Sequence, residues 1–332
     1  MEQIKTINPS KEIVFKFNSS KFLLRFEFVK TLLFALKAVT NGYLHRKKSY
    51  RLKQQLRCIC YSFIYPKFSS NWITFLASED FKFFFQNRPR LYIKPFLPYI
   101  STNWNKQHKI KVIADSYRFI RNYENLNMKF LNDPNGLQLA NYVSNNKYDV
   151  LLKLGYEERF RKEGEFVFTL ECKQLGGKIF SAAISFEEVE NNVWICIIGC
   201  VQGYKENTHE AVKTIQKLMF GMRPSALLVF VIQELCQNLN INSIYGISDK
   251  CQIYRKKHVI HVPCFHRIRF NYNQFWTEVD GRKIDEEWFK LPMKMIRKQN
   301  ENIQSHKRSM YHKRYQMLDE ISEQISNNSN YN

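Results

Sequence analysis

Residues 161–165 read Arg-Lys-Glu-Gly-Glu, and the two carboxylates flanking the glycine, Glu163 and Glu165, could move a proton or hold a cation. A charged hairpin turn has the same composition, so both readings stand at this level. A second cluster, His258, His261, Cys264 and His266, brings zinc-ligand types within nine residues. Alternation along a strand would turn His258 and His261 to opposite faces, and no second ligand pair stands elsewhere, so no metal site is expected. Near the end, Lys307, Arg308, Lys313 and Arg314 surround Tyr311 and Tyr315. Helical spacing sets Arg308, Tyr311 and Tyr315 on one face. Arginine forks fit phosphate, which makes Arg308 and Arg314 candidate anion-binding residues, although a solvated helix face has the same pattern. No P-loop, dinucleotide fingerprint, nucleophile elbow or H-E-x-x-H helix occurs.

Composition bounds what must position these groups. The chain has 332 residues, 44% hydrophobic and 15% aromatic, enough for a buried core and against disorder over most of its length. Its net charge of +21 is unevenly spread. Residues 1–110 carry 20 Lys/Arg against 5 Asp/Glu, whereas residues 111–289 carry 23 against 21. Such asymmetry concerns partners: a nucleic acid, a membrane surface or a phosphorylated ligand, or else only the Lys- and Asn-rich usage of an AT-rich genome. No nucleic-acid motif accompanies it, so no specific nucleic-acid partner is expected. The cysteines lack C-x-x-C pairs, and several sit in apolar runs, as in a reducing compartment. With Arg25, Glu27, Lys30 and Lys37 interrupting the most apolar early stretch, the expectation is a cytoplasmic protein without a spanning helix.

Periodicity predicts helices over residues 20–40 and 47–64. In the first, Phe22, Phe26, Val29, Leu33 and Leu36 share a face that could pack on a core or lie on an anionic membrane. Residues 81–100, rich in aromatics and proline, read as extended or turn-rich, with a helix from about 105 to 122. Short β-rich runs then follow at 148–154, 166–174, 178–186 and 193–201, separated by turn signals such as Asn191-Asn192, and predict an antiparallel meander. Helices over 208–220 and 224–240 and a buried strand over 243–248 complete an α+β layout. The expected organisation is a basic helical region over 1–100, an α+β core domain over 101–296, and a basic C-terminal helix with a disordered tail over 297–332.

Six ordered motifs carry a resemblance. They are Glu163-Gly164-Glu165, Ile198-Gly199-Cys200-Val201-Gln202-Gly203, Phe220-Gly221-Met222-Arg223-Pro224, the run from Tyr272 through Trp276 to Glu278, Leu291-Pro292, and 307–315. Together they resemble the VirK/YbjX family of Gram-negative bacteria, a domain of unknown function, from roughly residue 90 to 318. Asp115-Ser116-Tyr117 departs from the family, whose members tend to have His-Tyr there. The resemblance implies a role in the cell envelope, in virulence and in resistance to cationic antimicrobial peptides.

The strand–helix–strand order also resembles the core of the Gcn5-related N-acyltransferase (GNAT) fold, in which the turn after the fourth strand offers backbone N–H groups to the coenzyme A pyrophosphate. Residues 202–207 lack the second and third small residues of that family's loop, so the likeness is topological. It implies coenzyme A or an acyl-CoA as ligand, held by Gln202, Gly203, Lys205 and Arg223. It further implies Glu165 as general base, Glu278 as a second acid–base candidate, and Tyr272 and Trp276 in the acceptor pocket. Each of these residues also has a purely structural reading as turn, helix start or core. Two classes of function stay open: acyl transfer to an envelope component, or a non-catalytic accessory protein docking on the inner membrane through its basic N-terminal region.

Overall fold

The computed structural model describes residues 21–122, 133, 135–144, 148–204, 209–255 and 270–329. The chain forms two compact units. One comprises the residues up to Leu97 with Asn105–Ile110, the other Pro98–Trp104 with Lys111 onward.

The first unit is helical: α1 (Lys21–Gly42), α2 (Lys48–Ile64), α3 (Pro66–Ala77), α4 (Glu79–Asn87) and a 3-10 stretch Pro89–Phe96. Pro66 opens α3, where its missing N–H costs nothing. The stretch read as extended is largely helical, because Phe81, Phe84 and Phe85 recur at a helical interval and all three are buried. Tyr92 is the polar anchor of this unit. Its hydroxyl lies 2.6 Å from the Ser62 hydroxyl and donates to the Cys58 carbonyl at 2.9 Å, while the Trp72 indole N–H reaches the carbonyls of Leu91 and Tyr92. The predicted apolar face of α1 does not face the core at Val29 and Leu33, which are exposed; Ala35, Ala38 and Val39 fill the buried side instead.

The second unit is α+β, as the sequence predicts. Its strands are β1 (Leu137–Val143), β2 (Asp149–Gly155), β3 (Phe166–Cys172), β4 (Gly177–Glu190), β5 (Val193–Gly203), β6 (Ser243–Ile247), β7 (Arg282–Lys283) and β8 (Trp288–Leu291). They form one eight-stranded sheet in the order β1-β2-β3-β4-β5-β6-β8-β7, antiparallel except for the parallel pair β5/β6. Asn192 in the left-handed region makes the two-residue turn between β4 and β5.

The helices of this unit are α5 (Lys106–Asn122, whose first turn counts with the helical unit), α6 (His209–Leu218), α7 (Pro224–Asn238), α8 (Tyr272–Glu278) and α9 (Arg308–Ser329). The crossover between β5 and β6 runs through α6 and α7, and α7 packs on β3, β4 and β5. The C-terminal helix continues to Ser329 and lies on β1 and α7, burying Met317, Leu318, Ile321 and Ile325. Its amides close the edge of β1: Gln324 pairs with both the N–H and the carbonyl of Asn141, and Asn328 donates to the Leu139 carbonyl. An open strand edge is thereby satisfied by side chains.

Candidate active site

β5 and β6 stay paired only as far as Ile198 and Gly246, after which β5 continues to Gly203. The backbone edge that β6 leaves is met by a side chain. The Tyr272 hydroxyl stands 3.3 Å from the Val201 N–H nitrogen and 3.5 Å from its carbonyl oxygen. Asp249 fixes the start of α8, accepting from the backbone of Tyr272 and Asn273. Two glycines make the close approaches possible. A Cβ on Gly246 would overlap the Trp276 ring, and one on Gly199 would overlap the Glu163 carbonyl oxygen.

Three segments converge on the far end of β5. Ser101 bridges Gln252, the Thr102 N–H donates to the Cys251 carbonyl at 2.8 Å, and the Ile100 N–H donates to the Lys162 carbonyl at 2.7 Å. Between them lies the Glu163 carboxyl, 2% exposed. Gln252 donates to one of its oxygens at 3.2 Å, Gln202 reaches the other at 3.5 Å, and the Cys200 thiol bonds to it as well.

Burial pushes the Glu163 carboxyl up from 4.5 to about 8; the Cys200 thiol, the cations of Arg159 and Lys162, and the Gln252 amide offset only part of this. Tyr254 is pushed up to about 12, by burial first and by the Glu163 charge second. Burial and then the Glu163 charge also raise the Cys200 thiol well above its ordinary value. A carboxyl that titrates near neutral pH, held by amides, can give or take a proton under ordinary conditions.

Beside this group, Tyr204 at the end of β5 donates to Glu157 at 2.7 Å and lies 3.0 Å from Ser181. Lys178 pairs with the other Glu157 oxygen at 2.7 Å, and Arg159 stacks over the Tyr204 ring at 4.6 Å. Two cations and a tyrosine thus flank the terminus of β5.

A family model described as a protein of unknown function, DUF535, matches residues 47–327. The chain belongs to the DUF535 family. It is 28% identical over 291 residues to the uncharacterized protein YbjX of Escherichia coli (strain K12), covering 86% of this chain and 85% of that one. An uncharacterized protein of Haemophilus influenzae is 26% identical over 283 residues, 82% of this chain and 89% of its own. The resemblance drawn from the six motifs is therefore borne out. Among solved structures, a cAMP-binding acyltransferase from Mycobacterium smegmatis aligns over 72% of this chain and 66% of its own, at 6% identity and a TM-score of 0.26. That likeness is too slight to bear on fold or function.

Within this DUF535 chain the expected site residues separate. Glu165 is fully buried, with its two oxygens taken by the hydroxyls of Tyr99 at 2.7 Å and Tyr117 at 2.9 Å. Ser185 bonds both the Tyr99 hydroxyl and the Glu165 N–H, so this glutamate ties α5, β4 and the 98–104 segment together. Glu278 and Arg223 are ion-paired with each other, and Gln274 donates to Glu278 at 3.1 Å. Gln202 reaches Glu163, and Gly203 lies against the Phe180 ring. Lys205 lies outside the described residues, as do His258, His261, Cys264 and His266.

Tyr272 is at the parted strands. Trp276 is core, its indole N–H donating to the Ile247 carbonyl at 2.8 Å. Arg308 donates to the Ile303 carbonyl at 3.2 Å. Arg314 clamps the Phe220 carbonyl with two N–H groups at 3.0 and 2.6 Å and stacks on Tyr311. Both arginines thus hold backbone carbonyls.

Sequence reasoning named Glu163 only as half of a motif and missed Gln252, Tyr254, Glu157 and Tyr204. For Glu163 a signal existed. Glu165 directly precedes the strand and enters the sheet through its N–H bond to the Ile184 carbonyl, whereas Glu163 stays in the turn. Gln252 and Tyr254 had none, because only the return of β6 brings them to the site.

Among the described residues no group of three metal-ligating side chains comes together, and no helix is long and apolar enough to cross a membrane.

Proposed function

We propose that this DUF535 protein transfers an acyl group from coenzyme A to a nucleophile, an amine or a hydroxyl, on a cell-envelope component. Glu163 is the proton-transfer group in this reading. The acceptor nitrogen or oxygen attacks the thioester carbonyl, and its proton passes to the Glu163 carboxylate. The carbon–sulfur bond then breaks, and the coenzyme A thiolate takes that proton back from Glu163. The observation that carries the reading is the buried Glu163 carboxyl, titrating near 8, where β5 parts from β6. A parallel pair entered through a helical crossover is where open sheets bind ligands, at the carboxyl ends of the strands. The β5 terminus at Gln202 and Gly203 is followed by α6 from His209, a strand–helix order like that of the acyltransferase resemblance, although β1 makes this the fifth strand rather than the fourth. Arg159, over the Tyr204 ring, supplies positive charge for phosphate next to it, while Lys178 is ion-paired to Glu157.

The test combines binding and turnover. A ligand at a hundredfold excess over its dissociation constant stabilises the native state by about 2.7 kcal/mol, so coenzyme A or an acyl-CoA should raise the melting midpoint saturably. With acyl-CoA and an envelope extract as acceptor, thiol release should fall by roughly 10²–10⁴-fold in Glu163→Gln while the melting shift persists. If no member of an acyl-CoA panel moves the midpoint, acyl transfer is the wrong reaction.

A further inference from the structure

From residue 28 to residue 78 the chain carries nine lysines and arginines and no aspartate or glutamate. This stretch covers most of α1, all of α2 and all of α3. Within it, α2 is inside out. It buries Gln54, Cys58 and Ser62, one row at intervals of four, and its large apolar residues Leu52, Leu56, Phe63 and Ile64 are 51–66% exposed.

The cause is the Tyr92 hydroxyl. It bonds the Ser62 hydroxyl and the Cys58 carbonyl, and so draws the polar row of α2 inward. Leu52 and Leu56, with the exposed Cys60 one turn on, then form an outward stripe that Phe63 and Ile64 extend. Lys53 and Arg57 follow Leu52 and Leu56 directly, and both are exposed. On α1, Val29 and Leu33 are exposed one turn apart, and the Phe28 ring packs edge-on against Phe63 at 6.1 Å, which brings this row beside the end of α2.

We infer that this face of the helical unit docks on the surface of an anionic lipid bilayer, with the α2 stripe inserted among the headgroups and the flanking cations on lipid phosphates. The choice of occupant rests on charge complementarity. Apolar side chains interleaved with cations, and no carboxylate over fifty residues to repel phosphate, are what an anionic interface selects. A packed protein core would have turned the row of leucines inward. The inference goes beyond the acyl-transfer proposal and stands on different residues, so either can fail without the other.

The experiment is sedimentation of the full chain with vesicles of phosphatidylcholine alone and of phosphatidylcholine with phosphatidylglycerol. Binding should require phosphatidylglycerol and weaken steeply with added salt. The double variant Leu56→Ser/Phe63→Ser should lose binding by about tenfold or more. The double variant Lys53→Glu/Arg57→Glu, which leaves every buried side chain in place, should lose a comparable factor. Unchanged melting of both variants shows that the fold is intact, and an altered melt in one leaves the other to decide. Equal binding to neutral vesicles, no binding to either, or binding that neither variant weakens would overturn the inference. So would a dimer in sedimentation velocity that Leu56→Glu converts to monomer, since a second copy would then cover the face.

Discussion

The two units of this chain treat polarity in opposite ways. The helical unit turns Leu52, Leu56 and Phe63 outward and draws Ser62 and Gln54 in, whereas the sheet unit hides Glu163, Glu165 and Asp115 from water. The first arrangement places apolar surface and positive charge where a large anionic partner can reach them. The second encloses carboxyls where their protonation responds to their surroundings. Even within the sheet unit the buried acids divide. Glu165 and Asp115 are satisfied by strong partners, Asp115 by Lys111 at 2.8 Å, Arg118 at 3.0 Å and the Glu188 N–H. Glu163 is hydrogen-bonded by amides and a thiol, and burial pushes its carboxyl up to about 8; burial raises Asp115 as well, against the lysine and arginine that pair with it. What separates the three is the partner: ionic for Asp115, hydroxyl for Glu165, amide and thiol for Glu163.

That contrast can be broken by exchanging the acids. Glu165→Ala strands the hydroxyls of Tyr99 and Tyr117 and leaves a void, so urea melts should show a loss of about 3–5 kcal/mol. A loss below 1 kcal/mol would mean the network is slack.

Glu163→Gln should have the opposite sign. Because the native carboxyl holds its proton up to about pH 8 and the unfolded one only to about 4.5, the native state binds more protons in between. Its contribution is therefore greatest at low pH and is lost as pH rises through that window. The glutamine variant lacks this loss, so relative to wild type it should gain on the order of 4 kcal/mol between pH 5 and 9 in paired thermal melts.

Arg314→Ala removes the clamp on the Phe220 carbonyl, where Gly221 sits at positive φ, and should cost about 1.5–3 kcal/mol. Arg223→Ala breaks an ion pair with Glu278 that is largely open to solvent, and its cost should be about 0–1 kcal/mol. If Arg223→Ala instead abolished the coenzyme A melting shift without destabilising the protein, this pair would join the site.

The sheet was legible because β-branched and aromatic runs end at turn residues whose conformation is local, as at Asn192. The helices and strand of the crossover followed from two helical runs and a buried run after β5; that β6 then pairs parallel with β5 is added by the structure. The strand β1 was not legible. Its pattern carries little alternation, and its edge is held by Gln324 and Asn328 from the far end of the chain. The stretch 81–100 was misread because a dense aromatic run has no single period, and only packing selects Phe81, Phe84 and Phe85 for the inside.

The acids show the same limit. The motif at 163–165 was visible, but which glutamate meets tyrosines and which meets amides depends on Tyr99, Tyr117 and Gln252, which lie from 48 to 89 residues away from the glutamate each meets. Long-range pairing decided the role of each carboxyl.

The most direct test of the central claim is a carbon-13 NMR titration of the Glu163 side-chain carboxyl, assigned by its loss in Glu163→Gln, with and without coenzyme A. The account predicts a midpoint near 8 that moves when coenzyme A binds. A midpoint near the ordinary 4.5, or one that coenzyme A leaves unmoved, would contradict it.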